Sequence, residues 1–439
     1  METRTNSNPY SQSRHLNIDD QSESNRSHEG PISLLRQSRI TWITGCFLTA
    51  IGASVLLAPT AQADDTKSFP VDVWESPLGQ PRQYVRKAYA PLPHATKQWH
   101  VCASIPHLKD DYWLAVNFAL IQEARRLGVR LDLFEAGGYQ HLQTQKQQIS
   151  KCVEGGADGL IVGAISADGL NDLIASYADR RIPVVDLING VSSDAVAARV
   201  GADFYDMGLA TGEYLKKLTD KTGMPVRIAW FPGPQGAGWV SAGDQGLRDA
   251  LTGTKITIVE THFGDTGIAE QTRLLNATFD RHKDIDYVAG TAVTAEAAVR
   301  VLRERRLSDR VKVISYYFGP GVYRGIQRRT IVAAPTDQPA LQTKLAVDLM
   351  VRILEGRNYP KRVSAPVLLI DGDSVNRFDV TCSLAPPGFR RIFSTTTPPH
   401  QSARVSLRRI ASGSETRRAE CGASAGRASS TTARSRTGR

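Results

Sequence analysis

Aromatic residues collect at the positions where predicted β-strands end. Tyr112 and Trp113 follow the first predicted strand, in the segment "DDYW". The same kind of position later in the chain holds further rings: Tyr139, Phe204, Tyr205, Trp239, Tyr316 and Tyr317. Only 7% of the chain is aromatic, so this concentration favours a joint role, although core packing is the commoner role for any single ring. Several rings around one space form a dry cage for a methylated ammonium group, each contributing roughly 0.5 to 2 kcal/mol.

Polar residues accompany these rings. Asp111 stands where it could cap the helix after the first strand, and we expect that structural role for it. Asp337, in "PTDQP", follows the last predicted strand of the second lobe and is either a hinge residue or a ligand residue. The glycine-rich segment "GPQGAG", residues 233–238, lies between a strand and a helix. It either offers free amide groups to a polar ligand atom or is a tight turn.

Motifs for catalysis are absent from the sequence. The nine histidines show no H-x-x-x-H or H-E-x-x-H spacing and no C-x-x-C occurs, so we predict no metal site. Residues 233–238 lack the Lys-Ser/Thr of a phosphate-binding loop and the glycine order of a dinucleotide-binding turn. We therefore expect neither a cofactor nor an enzyme.

The elements that would position the aromatic residues alternate between strand and helix from about Gln98 to Pro335. Ten apolar segments are predicted as strands: residues 99–105, 130–136, 159–165, 182–188, 198–204, 226–231, 255–263, 286–291, 312–317 and 330–335. Helices are predicted between and after them at 112–127, 140–154, 205–218, 239–251, 268–281, 293–305 and 338–355. Near-continuous apolar strands suit parallel sheets covered on both faces. The predicted fold is therefore α/β, with two doubly wound parallel-sheet lobes and a ligand cleft between them, outside the carboxyl ends of the strands.

The two ends of the chain have the composition of processed or disordered sequence. An apolar run ends at Ala61-Gln62-Ala63 and is interrupted by polar residues and glycines, which indicates a cleavable signal peptide rather than a membrane anchor. Residues 401–439 hold nine arginines and two acids, a composition typical of disorder. Most of the net charge of +10 therefore belongs to this tail. Because the tail lacks aromatic residues and the protein is exported, we expect no nucleic-acid partner.

Five boundaries follow for the predicted organisation. Residues 1–63 are the leader and signal peptide, with cleavage near Ala63, and 64–96 are an N-terminal extension. The N-terminal lobe comprises 96–203 plus 338–360, the C-terminal lobe 204–337 plus 361–392, and the disordered tail 393–439.

Five segments carry a resemblance to a known family: "HVCASIPHLKDDYWLAVNFALIQEARRLGV", "FEAGGYQHLQTQKQQISKC", "RVGADFYDMG", "VAGTAVTAEAA" and "LAPPGFR". From about Trp99 to Arg390 the chain resembles the TorT family of periplasmic proteins of the trimethylamine N-oxide (TMAO) reductase system, within the type I periplasmic binding protein superfamily. The resemblance implies a periplasmic sensor that binds TMAO in the cleft and signals to a membrane histidine kinase in a two-component system.

The resemblance also implies roles for individual residues. It assigns Tyr112, Trp113, Tyr139 and Tyr317 to the pocket, and Phe204 stands where we expect tryptophan in the family, which removes an indole donor. Our predicted ligand set adds two residues, Trp239 and Asp337. Spacing alone leaves Cys102 and Cys152 as either a disulfide or two buried thiols, whereas the resemblance favours the disulfide.

Another function within the same fold is a solute-binding protein of an ABC importer for a sugar or a methylated amine. Asp186, Asn189 and Asp337 would then be candidate ligand residues. A repressor of this fold would need an N-terminal helix-turn-helix, which residues 1–63 do not contain.

Overall fold

The structure is a computed structural model, and it describes residues 68–75, 83–220 and 223–396. All of these belong to one unit of the chain, Ala63–Arg439. The predicted signal peptide and residues 397–439 of the predicted tail lie outside the described residues. Among the described helices, none is both long and apolar enough to cross a membrane.

The N-terminal lobe is built on an eight-stranded sheet with the order β2-β1-β13-β7-β6-β5-β3-β4. Its strands are β1 Phe69–Trp74, β2 Tyr84–Tyr89, β3 His100–Ile105, β4 Arg130–Glu135, β5 Gly159–Val162, β6 Val184–Leu187, β7 Ala198–Val200 and β13 Arg362–Ser364. The strands from β4 to β13 pair in parallel, and β1 pairs antiparallel with both β13 and β2. The sheet is therefore a parallel core with an antiparallel edge.

Helices cover both faces of this sheet. They are α1 Asp111–Leu127, α2 Leu142–Glu154, α3 Asn171–Asp179 and α9 Pro339–Leu354. Alternate residues of β3 point to opposite faces: Val101 belongs to the core cluster shared with α1 and α9, whereas Cys102 belongs to the cluster shared with α2 and α3. Cys102 is bonded to Cys152 of α2, with 6.0 Å between their Cα atoms. The disulfide favoured by the family resemblance is therefore confirmed.

The C-terminal lobe has a parallel four-stranded sheet with the order β11-β10-β8-β9 and a separate antiparallel pair, β12-β14. The strands are β8 Val226–Gly233, β9 Ile256–Phe263, β10 Tyr287–Gly290, β11 Lys312–Ser315, β12 Ala333–Thr336 and β14 Leu368–Asp371. The helices are α4 Phe204–Asp220, α5 Gly238–Leu251, α6 Ile268–Arg281, α7 Ala292–Glu304 and α8 Pro320–Gln327. The two-lobed type I fold predicted from the strand and helix alternation is present.

Glycines allow α4 and α5 to pack unusually close together. A Cβ added to Gly208 of α4 would overlap the backbone of Gly243, and one added to Gly246 of α5 would overlap the backbone of Tyr205. This packing places the first turns of the two helices side by side. As a result, their N-terminal aromatic residues, Phe204 and Trp239, come within 5.5 Å between ring centroids.

The structure corrects the predicted organisation in three places. Residues 362–364 form β13 and pair with β7 of the N-terminal lobe, whereas we had predicted 361–392 to belong wholly to the C-terminal lobe. The predicted N-terminal extension supplies β1 and β2 to the sheet. Residues 393–396, predicted to be disordered, bond to β4: the Leu133 amide donates to the Phe393 carbonyl at 2.7 Å. These segments are short or exposed edge strands, so partner strands distant in sequence decide their conformation.

Candidate functional site

The loop before α1 is fixed by a helix cap. Asp110 is the N-cap residue, and its carboxylate accepts a hydrogen bond from the backbone N–H of Trp113 at 3.1 Å. Our prediction that Asp111 caps this helix was therefore wrong by one residue: Asp111 is already helical and its side chain is exposed. The cap fixes the first turn of α1, so Tyr112 and Trp113 both point into the protein, with 8% and 3% of their surfaces exposed.

These two residues line a cavity between the lobes together with rings from four other elements. The lining residues are Asp110, Tyr112, Trp113, Tyr139, Asn189, Phe204, Trp239, Thr266 and Tyr317. Six of the seven predicted ligand residues are thus brought to one place. The cavity has an empty volume of about 270 Å³, below the roughly 300 to 1,000 Å³ of pockets for drug-sized ligands. It therefore suits a ligand of few heavy atoms.

The rings contact one another around the cavity. Tyr112 lies 5.9 Å from Trp113 and 5.4 Å from Tyr317 between centroids, both edge to face. Trp239 lies 6.1 Å from Tyr317 and 6.0 Å from Tyr139. Such arrangements are favoured because the positive ring edge meets the negative ring face. The result is a continuous wall of aromatic faces supplied by both lobes.

Asp337, the seventh predicted residue, is placed behind this wall. Its Oδ2 accepts a hydrogen bond of 2.6 Å from the Tyr112 hydroxyl, and its side chain is fully buried. Burial raises the pKa of Asp337 from 3.8 to about 6, and the bond from Tyr112 partly opposes that rise. Asp337 therefore orients Tyr112 but is not among the residues that line the cavity.

Three lining residues were absent from our predicted ligand set. Asn189 donates from Nδ2 to the Tyr139 hydroxyl at 3.1 Å and to the Ala164 carbonyl at 2.7 Å. Thr266 pairs with His107 across the lobes, with 3.2 Å between Oγ1 and Nε2. The position of Asp110 in "DDYW" and of Asn189 after a strand were usable sequence signals. Thr266 follows β9 in a loop without aromatic or glycine markers, and only the tertiary structure reveals it.

The polar atoms of the cavity include hydrogen-bond donors without partners in the protein. Trp239 Nε1 is buried and has no hydrogen-bond acceptor. The Tyr139 hydroxyl accepts from Asn189, which leaves its own proton for another group. Burial raises the pKa of Tyr112, Tyr139 and Tyr317, so all three phenols are neutral donors at physiological pH. The cavity can therefore surround methyl groups with rings and donate hydrogen bonds to an oxygen.

Contacts between the lobes close the rim of the cavity. Lys109 of the N-terminal lobe and Asp265 of the C-terminal lobe form an ion pair with 2.8 Å between Nζ and Oδ2. His107 is completely buried beneath this rim, and burial lowers its pKa. Among the described residues, no group of three His, Cys, Asp or Glu side chains is placed to hold a metal ion.

Known proteins resemble this chain over its whole two-lobed region. The family described as "Periplasmic binding protein domain" matches residues 101–358. The periplasmic protein TorT of Escherichia coli (strain K12) is 37% identical over 312 residues, which cover 71% of this chain and 89% of TorT.

Solved structures extend the comparison. An ABC transporter solute-binding protein from Bradyrhizobium sp. BTAi1 with bound Bis-Tris is 44% identical, with a TM-score of 0.65, and the match covers 74% of this chain and 98% of that one. TorT in complex with the TorS sensor domain in the presence of TMAO is 31% identical, with a TM-score of 0.62, covering 67% and 100% of the two chains. The chain therefore belongs to the periplasmic binding protein family, with the type I fold, and is similar to TorT.

Proposed function

We propose that this protein binds TMAO in the aromatic cavity and signals its presence to the sensor domain of a membrane histidine kinase. The observation that carries the proposal is the aromatic wall around the unpartnered Trp239 Nε1. The similarity to TorT, whose complex with the TorS sensor domain is known in the presence of TMAO, supports both the ligand and the partner. The role also requires export to the periplasm, which the sequence before Ala63 favours.

The ligand's two ends match the two kinds of group in the cavity. The trimethylated nitrogen of TMAO is positive and would face the rings of Tyr112, Trp113 and Tyr317. Its oxygen is negative and accepts hydrogen bonds, for which Trp239 Nε1 and the Tyr139 hydroxyl are the nearest available donors. Phe204 supplies a ring but no donor, so the burden of binding the oxygen falls on Trp239 and Tyr139.

Binding would be coupled to the arrangement of the lobes. Tyr112, Trp113 and Tyr139 belong to one lobe, while Phe204, Trp239 and Tyr317 belong to the other. A ligand held by both sets stabilises the closed arrangement and thereby changes the surface offered to the kinase. Shifting a two-state equilibrium from 1:99 to 99:1 takes about 5.5 kcal/mol of differential affinity, which ligand and kinase would supply together.

The second candidate function is solute binding for an ABC importer of a methylated or hydroxylated amine. The observation that favours it is the 44% identity to the Bradyrhizobium solute-binding protein, which holds Bis-Tris. Bis-Tris is a tertiary amine with hydroxylated arms. An importer protein would bind its solute without any effect on a kinase sensor domain, so the kinase experiment separates the two functions.

Calorimetric titration of the purified protein with TMAO tests the ligand, with trimethylamine, Bis-Tris and ribose as comparisons. Trp239→Phe keeps a ring and removes only the indole N–H. Hydrogen bonds to charged groups contribute about 1.5 to 3 kcal/mol, so we expect this variant to bind TMAO roughly 10- to 100-fold more weakly. The control is Trp99→Phe, because Trp99 lies beside the start of β3, at the opposite end of the sheet from the cavity. Equal TMAO affinity in wild type and Trp239→Phe would contradict the proposed binding mode.

The signalling half is tested by titrating the sensor domain of a TorS-type kinase into the protein with and without saturating TMAO. We expect TMAO to change the affinity of this complex at least fivefold in wild type and much less in Trp239→Phe. An unchanged affinity in wild type would favour the importer function.

A further inference from the structure

A second cavity adjoins the aromatic cavity. It has an empty volume of about 770 Å³ and extends from the ends of β6 and β7 to the first turn of α5. Asn189, Phe204 and Trp239 line both cavities. The rings of Phe204 and Trp239 therefore form the wall between them, and TMAO leaves the second space unfilled.

The walls of the second cavity carry balanced charges. Two acids, Asp186 and Asp203, and two arginines, Arg199 and Arg362, line it. Arg199 bonds to Asp186 with 3.0 Å between Nη1 and Oδ2, and Arg362 lies 3.6 Å from Asp203. With two charges of each sign, the walls select neither a cation nor an anion. They favour an uncharged polar group instead.

Asp186 provides a buried acceptor at this wall. Its side chain is only 4% exposed, and its Oδ1 is buried without a hydrogen-bond partner. Its Oδ2 accepts bonds from Arg199 and from the backbone N–H of Val191. A buried acceptor without a donor costs about 1 to 3 kcal/mol, and a ligand O–H would remove that cost.

Donors approach from the opposite side of the cavity. The N-cap residue of α5, Ala237, makes no side-chain cap bond, and the first-turn residues Gly238 and Trp239 line the cavity. Backbone amides in the first turn of a helix lack partners within the helix and attract lone pairs. A Cβ on Gly238 would lie 3.3 Å from the Asn189 carbonyl oxygen, which explains why the segment 233–238 ends in glycine.

We infer that the two cavities together accept an amine that carries a hydroxylated arm. The alkylated nitrogen occupies the aromatic cavity, and the arm's hydroxyl donates to Asp186 and accepts from the first turn of α5. This inference rests on the proposed aromatic site for TMAO, and it extends the ligand class from TMAO to amino alcohols.

Two matched cations test the inference in calorimetric titrations against TMAO. Choline and its three-carbon homologue, (3-hydroxypropyl)trimethylammonium, carry the hydroxylated arm, while propyltrimethylammonium replaces the hydroxyl of choline with a methyl group. We expect at least one hydroxylated cation to bind at least tenfold more tightly than propyltrimethylammonium, because a site built to bond a hydroxyl rejects an analogue that lacks it.

A space-filling variant locates the arm. Ala242 lines only the second cavity, so we expect Ala242→Leu to reduce the ratio of hydroxylated-cation affinity to TMAO affinity at least tenfold. Ser241→Leu is the matched control, since Ser241 is the exposed neighbour on the same helix and should leave that ratio unchanged.

The outcomes separate the inference from the proposed function. Tight TMAO binding with equal, weak binding of all three cations would overturn the inference and leave the TMAO site intact. An affinity ratio unaffected by Ala242→Leu would also overturn it. If neither TMAO nor any trimethylammonium cation binds, the proposed aromatic site itself fails.

Discussion

The two walls of the aromatic cavity differ in how far their polar atoms are already satisfied. On the N-terminal lobe, Asp110 is bonded to the Trp113 amide, Tyr112 to Asp337 and Tyr139 to Asn189. On the C-terminal lobe, Trp239 Nε1 has no partner. The Tyr316 hydroxyl, whose ring stacks on Trp239, has none either. One wall is therefore organised before ligand binds, while the other keeps donors in reserve.

This difference has an energetic meaning. Each buried donor without an acceptor costs about 1 to 3 kcal/mol, and the cost ends when a ligand oxygen accepts its hydrogen. The organised wall loses little side-chain freedom on binding, which also favours affinity. Variants of the N-terminal wall should therefore disturb both folding and binding, whereas variants of the C-terminal wall should act chiefly on binding.

The largest effect is expected from the organised wall. Trp113→Ala removes a ring that is 97% buried and packs against Gly163, where an added Cβ would lie 2.7 Å from the indole. Truncations of this kind cost about 3 to 5 kcal/mol, so we expect a loss of unfolding free energy in this range and no detectable TMAO binding. Urea unfolding and calorimetry measure the two effects. A variant of normal stability would show that the wall is less tightly packed than described.

The disulfide offers a contrast within the same lobe. Cys102 and Cys152 join β3 to α2 on the face that carries the separate core cluster. Closing a loop with a sequence separation of 50 residues stabilises by roughly 4 kcal/mol through the unfolded state. The double variant Cys102→Ser with Cys152→Ser should lose about that much unfolding free energy in urea. Its TMAO affinity should stay within twofold of wild type, and a tenfold change would show that this face supports the cavity.

The sequence predicted the organised wall better than the other. The ten strands and seven helices stood out because apolar runs and helical periodicity are local signals, and six rings at strand ends do line one cavity. Choosing Asp111 over Asp110 as the cap was an error of one residue, since both are acidic and adjacent. Thr266, the pairing of β13 with β7 and the placement of Asp337 behind Tyr112 all depend on contacts between distant segments, which no local pattern specifies.

A smaller effect is expected from the support behind the organised wall. The raised pKa of Asp337, about 6, means that the native carboxyl holds a proton which the unfolded chain releases near pH 4. The free energy of unfolding therefore falls by roughly 3 kcal/mol as pH rises from about 4 to about 6. Asp337→Asn cannot titrate and should lack this decline, which urea unfolding from pH 4 to pH 7 measures. Asp309→Asn, at an exposed aspartate, is the control. Parallel pH profiles for Asp337→Asn and wild type would show that burial does not perturb this carboxyl.

The smallest effect is expected from Glu296 of the C-terminal lobe. Burial, and then the charges of Asp111 and Asp110 across the cleft, raise its pKa to about 7, while Arg324 and the Gly321 amide oppose the rise. Closing the lobes brings these carboxyls together, so the closed arrangement should hold a proton on Glu296 more tightly than the open one. Because ligand binding favours closure, TMAO should bind a few-fold more tightly at pH 6 than at pH 8.

Glu296→Gln sharpens the test because glutamine keeps the shape and removes the titration. Asp110 and Asp337 remain in the variant, so the informative quantity is the difference between the pH profiles of TMAO affinity in wild type and variant. We expect the variant's profile to be flatter between pH 6 and pH 8. Identical profiles would mean that Glu296 keeps the same environment in the open and closed arrangements. Proton binding would then act on the organised wall alone, through Asp110 and Asp337.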